Sequence, residues 1–321
     1  NLVAGFPVDF STVEQINTDK KFVGLNTDLG TLAEAWDINL FIVQQTVTGV
    51  VDRRATGAEI RYFKVNRSLF ALLDYDLMFG QLNTALLLGN LTLPDKSTLN
   101  LMVDVRKSPV LTTTNALQGQ PVFSLETLTT LIDDKTAREL AEARTATSRT
   151  VTLGGTHPFN ERVQVNMDFT LSQLGGTDGS DPVPGIPGSV AIAPINGTGQ
   201  EYFFNTQVII NRLLRDNDVS IIGVRYSNTS AASTTSLSLN TRYPAGKHWR
   251  VNPRLRADFR NNDTDSSKNI SVYPSLRLDY RIGRVARLEI QAGGDWTSHS
   301  FAGNNEYTHG YYASLGYRLS F

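Results

Sequence analysis

Apolar and polar residues alternate one for one over long stretches of this chain, and only a β-strand turns that period of two into two distinct faces. From Trp249, the residues Trp249, Val251, Leu255, Ala257 and Phe259 fall on one side. Arg250, Asn252, Arg254, Arg256, Asp258 and Arg260 fall on the other. Val272, Leu276, Leu278 and Tyr280 oppose Tyr273, Ser275, Arg277, Asp279 and Arg281. Ala286, Leu288, Ile290, Ala292 and Trp296 oppose Arg287, Glu289, Gln291 and Asp295. The pattern recurs earlier, with Val163, Val165, Met167, Phe169 and Leu171 against Gln164, Asn166, Asp168, Thr170 and Ser172. Leu99, Leu101, Val103 and Val105 likewise oppose Asn100, Asp104 and Arg106. Each such strand presents one apolar and one polar surface.

Strand length separates the two architectures that share this pattern. A large soluble antiparallel protein would use strands of about 5–6 residues. Here the segments commonly run past about nine, which a tilted strand needs to cross a bilayer. Trp249, Tyr243, Tyr280 and Tyr317 sit near segment ends, where interfacial aromatics belong. The 321-residue chain is 40% hydrophobic and has no apolar run approaching the ~18–20 residues of a membrane helix. That does not argue against membrane strands, in which polar residues dilute the apolar ones. The chain has no cysteine, which excludes disulfides and zinc–cysteine sites. A net charge of −1 gives no support for nucleic-acid binding. Asn1-Leu-Val-Ala-Gly has neither a basic start nor a long apolar core, so no signal peptide is expected. Asn1 is not a start residue. The sequence reads as a mature chain or a fragment, with further strands or a periplasmic domain upstream of residue 1 left open.

The last segment alternates strictly. Tyr311, Ala313, Leu315, Tyr317, Leu319 and Phe321 oppose Tyr312, Ser314, Gly316, Arg318 and Ser320. A closing strand that ends on Phe321 resembles that of Gram-negative outer-membrane β-barrels of porin size. The resemblance implies outer-membrane lipid around the chain and insertion by the barrel-assembly machinery, with Phe321 as the assembly signal. The expected fold is all-β: a single transmembrane antiparallel up-and-down β-barrel over residues 1–321. Strands are expected to start near residues 1, 20, 36, 54, 69, 82, 97, 147, 161, 201, 217, 232, 247, 269, 285 and 309, a count of about sixteen. Placing Phe321 in the periplasm puts the short breaks there, among them Asn66–Ser68, Pro94–Ser97, Pro158–Glu161, Leu214–Asn217, Pro244–Lys247 and Gly283-Arg284. Longer breaks are expected between them.

Two long breaks stand out. Over 107–146, Ser124 is a candidate N-cap, and Leu125, Leu128, Leu131 and Ile132 recur at helical spacing. Asp134 is expected to cap a second short helix, Lys135–Ala143. Two readings stand here: a lid or lumen-folded constriction, and a surface decoration that blocks nothing. The Gly/Pro-rich segment 175–200 reads as a mobile outer loop. Its Asp178, Ser180 and Asp181 fail the spacing of a calcium loop, so no metal or cofactor is expected.

Face assignment yields a charge map. Asp28, Asp37, Glu59, Asp74, Asp76 and Asp104 fall on the inward face of the early strands, with Arg61 and Arg106. Arg242, Arg250, Arg254, Arg256, Arg260, Arg277, Arg281, Arg287 and Arg318 fall on that of the late strands, with Asp258, Asp279, Glu289 and Asp295. Closure of a barrel would set an acidic wall against an arginine-rich wall and tune solute selectivity. Pairing between adjacent strands among Arg254, Arg256, Asp258, Arg277 and Asp279 would stiffen the lumen.

These expectations converge on an outer-membrane channel for small hydrophilic or anionic solutes. The alternative is an export or anchoring barrel of a larger envelope assembly. Leu237–Pro244 and Trp249–Asp258 resemble the C-terminal barrels of large outer-membrane proteins in which tetratricopeptide repeats precede the barrel, as in exopolysaccharide exporters. That likeness covers roughly the last 100 residues. It implies envelope partner proteins, whereas porins of this size imply a homo-oligomer. Catalysis is not expected. His157 and His248 fall at turns, and His299 and His309 are expected to flank the last outer loop near Asp295, Ser298 and Ser300 without a family motif.

Overall fold

The computed structural model describes residues 19–32, 35–283 and 285–319. The expected strand near residue 1, Arg284 and Phe321 lie outside the described residues. Fifteen strands form one antiparallel up-and-down sheet in which spatial order follows chain order. They are β1 (Lys20–Leu32), β2 (Trp36–Val47), β3 (Val50–Lys64), β4 (Arg67–Asp76), β5 (Gln81–Thr92), β6 (Thr98–Ser108), β7 (Ala146–Pro158) and β8 (Val163–Leu174). After them come β9 (Gly199–Asn211), β10 (Val219–Asn228), β11 (Ala232–Ala245), β12 (Trp249–Asn262), β13 (Lys268–Ile282), β14 (Ala286–Phe301) and β15 (Asn304–Leu319). The strands run from 10 residues in β4 to 16 in β15.

The alternation governs register. Leu255, Phe259, Ile270, Leu276 and Ile290 all lie on one face of β12–β14 and are exposed. The backbone ladder satisfies the peptide groups while this apolar face meets an apolar solvent. Aromatic pairs lie near strand ends: the Trp249 and Tyr280 rings of β12 and β13 are 4.6 Å apart, and those of Trp36 and Tyr62 of β2 and β3 are 4.7 Å apart. On the opposite face, two glycines admit a ring from the next strand. Phe41 lies over Gly57 and Tyr312 over Gly293, where any Cβ would collide with the ring.

The connections correct one expectation. The breaks at the end that carries the long segments are not generally long. Thr48-Gly49 and Ala302-Gly303 each close a hairpin with two residues, at φ of 50° and 85° and of 50° and 83°. Positive φ at both central residues matches the right-handed twist of the strands, so two residues suffice. Only 109–145 and 175–198 are long among the described residues. The first of them carries a short 3₁₀ turn (Thr113–Leu117) followed by α1 (Leu125–Leu131) and α2 (Asp134–Ala143).

The chain divides into two compact units. The unit containing β1–β4 also holds both long segments, and they pack on each other. Leu125 and Leu128 of α1, Ala137 and Leu140 of α2, and Val183 and Ile186 of the second segment share one buried cluster with Val47 and Phe79. The second segment is therefore a packed partner of the helices rather than the mobile loop its composition suggests. Arg144 donates from Nη1 to the Asp178 carbonyl at 3.0 Å and from Nη2 to Ser180 Oγ. The Asp178 N–H donates to the Ala143 carbonyl at 3.0 Å. Asn83 on β5 clasps the first segment, accepting from the Leu111 N–H at 3.0 Å. The buried Asp52 carboxylate accepts from the Thr114 N–H at 2.6 Å and from its hydroxyl at 2.7 Å.

Ser124 caps α1 as expected, accepting from the Thr127 N–H at 3.1 Å. The cap of α2 is Asp133, one residue before the expected Asp134. Thr136 fixes it: its N–H and hydroxyl reach the two Asp133 oxygens at 2.8 and 3.1 Å. The other unit holds β9–β15 with parts of β5–β8. Its 212–218 turn is wrapped around Asp218, whose carboxylate takes the N–H groups of Leu213, Leu214 and Arg215 at 2.7, 2.6 and 2.8 Å. Burial works to raise this carboxyl, and the turn's N–H groups outweigh it, holding Asp218 below the ordinary range.

Two outcomes follow for the helical segment. Leu128→Ala should cost it about 2–5 kcal/mol. The measurement is limited proteolysis: cleavage within 118–123 should accelerate while the strands stay protected. The Thr136 N–H also holds the Asp133 carboxyl below its ordinary value. A depressed folded pKa gives stability present above the unfolded value of about 3.9 and lost as pH falls through the folded value. Protection of the 134–143 amides, as exchange relative to the intrinsic rate at each pH, should therefore fall below about pH 4, and Asp133→Asn should flatten that dependence.

Candidate functional site: the charged face of the sheet

Cross-strand partners share a face, so register tests the charge map. In β12 and β13, Arg250 lies opposite Asp279, Asn252 opposite Arg277, and Arg260 opposite Asn269. In β13–β15, Arg281 lies opposite Arg287, and Arg287 opposite Arg318. Across β11–β12, Asn240 meets Arg254 and Ser238 meets Arg256, which puts Arg242 on the same face by parity. Register thus gathers Arg242, Arg250, Arg254, Arg256, Arg260, Arg277, Arg281, Arg287 and Arg318 on one face, opposite the exposed apolar residues.

The pairing differs from the expected cross-strand pattern. Arg256 Nε reaches Asp258 on its own strand at 2.8 Å, and Arg277 Nε reaches Asp279 on its own strand at 3.0 Å. Arg106 pairs with Asp104, and Arg61 with Glu59, in the same way. Residues two apart share a face, and an arginine side chain is long enough to fold back over that separation. One cross-strand bridge adds to these in β13–β14, from Arg277 Nη2 to Glu289 at 2.8 Å. Arg254 joins no ion pair among the described residues, and neither do Arg242, Arg250, Arg281, Arg287 and Arg318.

The early strands differ. Asp28 lies opposite Asn39, Asp37 opposite Arg61, and Asp74 and Asp76 opposite Gly57 and Ala55, all on one face. Three arginines share five of the six carboxylates on this face, which keeps an acidic excess with most of its members ion-paired. Arg61 also reaches Asp37 at 3.8 Å. Arg53 binds Asp74 and lies 3.5 Å from Asp76, with little exposure at any of the three. The charge map omitted Arg53, although its parity with Glu59 and Arg61 on β3 marks the same face. Asp104 is satisfied by Arg106, and Asp28 accepts from the Gly30 N–H at 2.7 Å.

The histidines fall elsewhere. His299 and His309 lie inside β14 and β15, not beside a loop, because a two-residue turn joins those strands. His299 lies opposite Glu306, and His309 opposite Trp296, so parity puts the two rings on opposite faces. Ser298 and Ser300 share the face of His309, while Asp295 shares that of His299. At the 93–97 turn, Ser97 Oγ lies 2.7 Å from His157 Nδ1 and donates to Asp95 at 2.9 Å. Serine and aspartate meet the same ring nitrogen, an arrangement that ties the turn.

Strands of this length in an up-and-down antiparallel sheet, apolar and exposed on one face and charged on the other, are the fold class of transmembrane β-barrels. No protein-family model matches the chain, and no curated protein matches it. Solved structures similar to it include OmpT, an outer membrane protein of Vibrio cholerae, at 7% identity and TM-score 0.36 over 94% of this chain and 95% of that one. A bacterial polysaccharide outer membrane secretin is 9% identical, with TM-score 0.36 over 94% and 91% of the two chains. The siderophore receptor PirA from Acinetobacter baumannii is 10% identical, with TM-score 0.43 over 94% of this chain and 55% of that one. The fold class rests on strand length, order and the two faces.

Arg53 is shared between two carboxylates that little water reaches. Arg53→Ala should therefore destabilise the chain by about 3–5 kcal/mol in urea unfolding. Adding Asp76→Asn should recover part of that loss by relieving the exposed repulsion.

Proposed function

We propose that this chain is an outer-membrane channel that passes small hydrophilic solutes, anions above cations. The observation that carries this reading is the guanidinium excess on the polar face of β11–β15, on a sheet whose other face is apolar and exposed. Lipid would cover the apolar face, and the barrel-assembly machinery would insert the sheet. The polar face would then line an aqueous lumen, where fixed positive charge raises the local concentration of anions and repels cations. Early-strand carboxylates oppose this only in part, since five of the six share Arg53, Arg61 and Arg106.

The purified chain reconstituted in planar bilayers should give stable conductance steps. In a potassium chloride gradient its reversal potential should lie on the chloride side. Arg242→Glu with Arg287→Glu should move that potential toward potassium and leave the step size within about twofold. A bilayer that stays silent at all protein concentrations would sink the channel reading.

A further inference from the structure

The late-strand arginines are not spread evenly over their face. Arg242 of β11, Arg250 and Arg254 of β12, Arg277 of β13 and Arg287 of β14 line a single recess of about 410 Å³, with Asp279 as its one carboxylate. That carboxylate is already occupied. Asn252 Nδ2 donates to one oxygen at 3.0 Å and Arg277 Nε to the other at 3.0 Å, and Asp279 is almost fully buried. Arg277 in turn is committed to Asp279 and Glu289. Arg242, Arg250, Arg254 and Arg287 remain, with no ion pair among the described residues. Arg250 lies in the field of Arg242, Arg287 and Arg281, with only Asp279 against them.

Resting on the channel reading of this face, we propose that the recess is a binding site for a small solute carrying two or more oxyanion groups. Free guanidinium forks on β11, β12 and β14 match the planar bidentate geometry that phosphate and carboxylate oxygens offer. The volume is within the range of small-molecule sites, so it suits an organic solute with anionic groups at two places better than one isolated ion. Asn240 and Asn252 add amide groups for neutral hydroxyls between the charges. The recess lies toward the strand ends joined by the 246–248 turn. A solute would meet it at one mouth of the lumen.

Pyrophosphate and citrate serve as probes, titrated calorimetrically into the full chain in detergent at low salt. The expected result is saturable binding of at least one of them, weakening as salt rises. Arg250→Ala should weaken it by about tenfold or more. Asn240→Asp, which removes no arginine and sets a carboxylate opposite Arg254, should weaken it by about threefold. Arg260, bonded to Asn262 and outside the recess, is the control, and Arg260→Ala should leave affinity unchanged. Tighter pyrophosphate assigns a phosphorylated solute, and tighter citrate a polycarboxylate or acidic saccharide. No binding of either probe, or equal losses in Arg250→Ala and Arg260→Ala, overturns the site. Chloride conductance without probe binding removes the site and leaves the channel. Probe binding in a chain that never conducts keeps the site and removes the channel.

Discussion

The hydrogen-bonded strand ladder is the constraint on which everything else here depends. Once β1–β15 pair in chain order, backbone hydrogen bonds join each strand to its neighbours, and the side chains are left to meet the surroundings. The period of two then divides them along β12–β14, with leucine and isoleucine on one side and arginine and aspartate on the other. A one-residue slip would turn arginines toward the apolar solvent and leucines toward water, so the register is held by both solvents at once. The rings of Phe41 and Tyr312 fit only because Gly57 and Gly293 lie directly opposite them, which adds a steric lock to the partition.

That partition made most of the sheet legible in the sequence. Strand starts near 36, 97, 147 and 232 fall within a residue of β2, β6, β7 and β11 because nothing competes with alternation there. The last hairpin was legible only in part. Asn304 to Thr308 carry a single apolar residue, Tyr307, too little to show alternation, so β15 was expected to begin five residues late and His299 and His309 to flank a loop. Turn chemistry was the missing information, since Ala302 takes a positive φ that its residue type does not advertise. The helical segment showed its helices through Leu125 and Leu128 but not its partner. Val183 and Ile186 sit among glycines and prolines, and their burial depends on helices that lie about 50 residues away in sequence.

The charged face shows the same division between local and non-local information. Parity alone was enough to gather the nine late arginines on one side. Partner choice was not, because a strand places an acid two residues away and an acid across the ladder at comparable reach. The chain uses the first option at Arg61, Arg106, Arg256 and Arg277. Arg53 was overlooked for a related reason. Its carboxylates, Asp74 and Asp76, belong to the next strand, and a bulge between Gln45 and Thr46 interrupts the regular register just beside it.

The contrast between the two sets of charges bears on function. Where the sheet needs a quiet surface, an aspartate or glutamate stands two residues from the arginine. Asparagine stands at that position between Arg250 and Arg254, and again opposite Arg254 at Asn240, where one carboxylate would settle two guanidiniums. Arg281, Arg287 and Arg318 even meet directly across three strands, a like-charge row that works against pairing. Water over this face would make that repulsion tolerable without removing it. A mobile anion removes it, and the more charge the anion carries, the more of the row it quiets. On the channel reading, the unpaired arginines would supply the physical link between conductance and binding: the excess that would draw small anions past this face is the same excess that would hold a multiply charged solute in the recess.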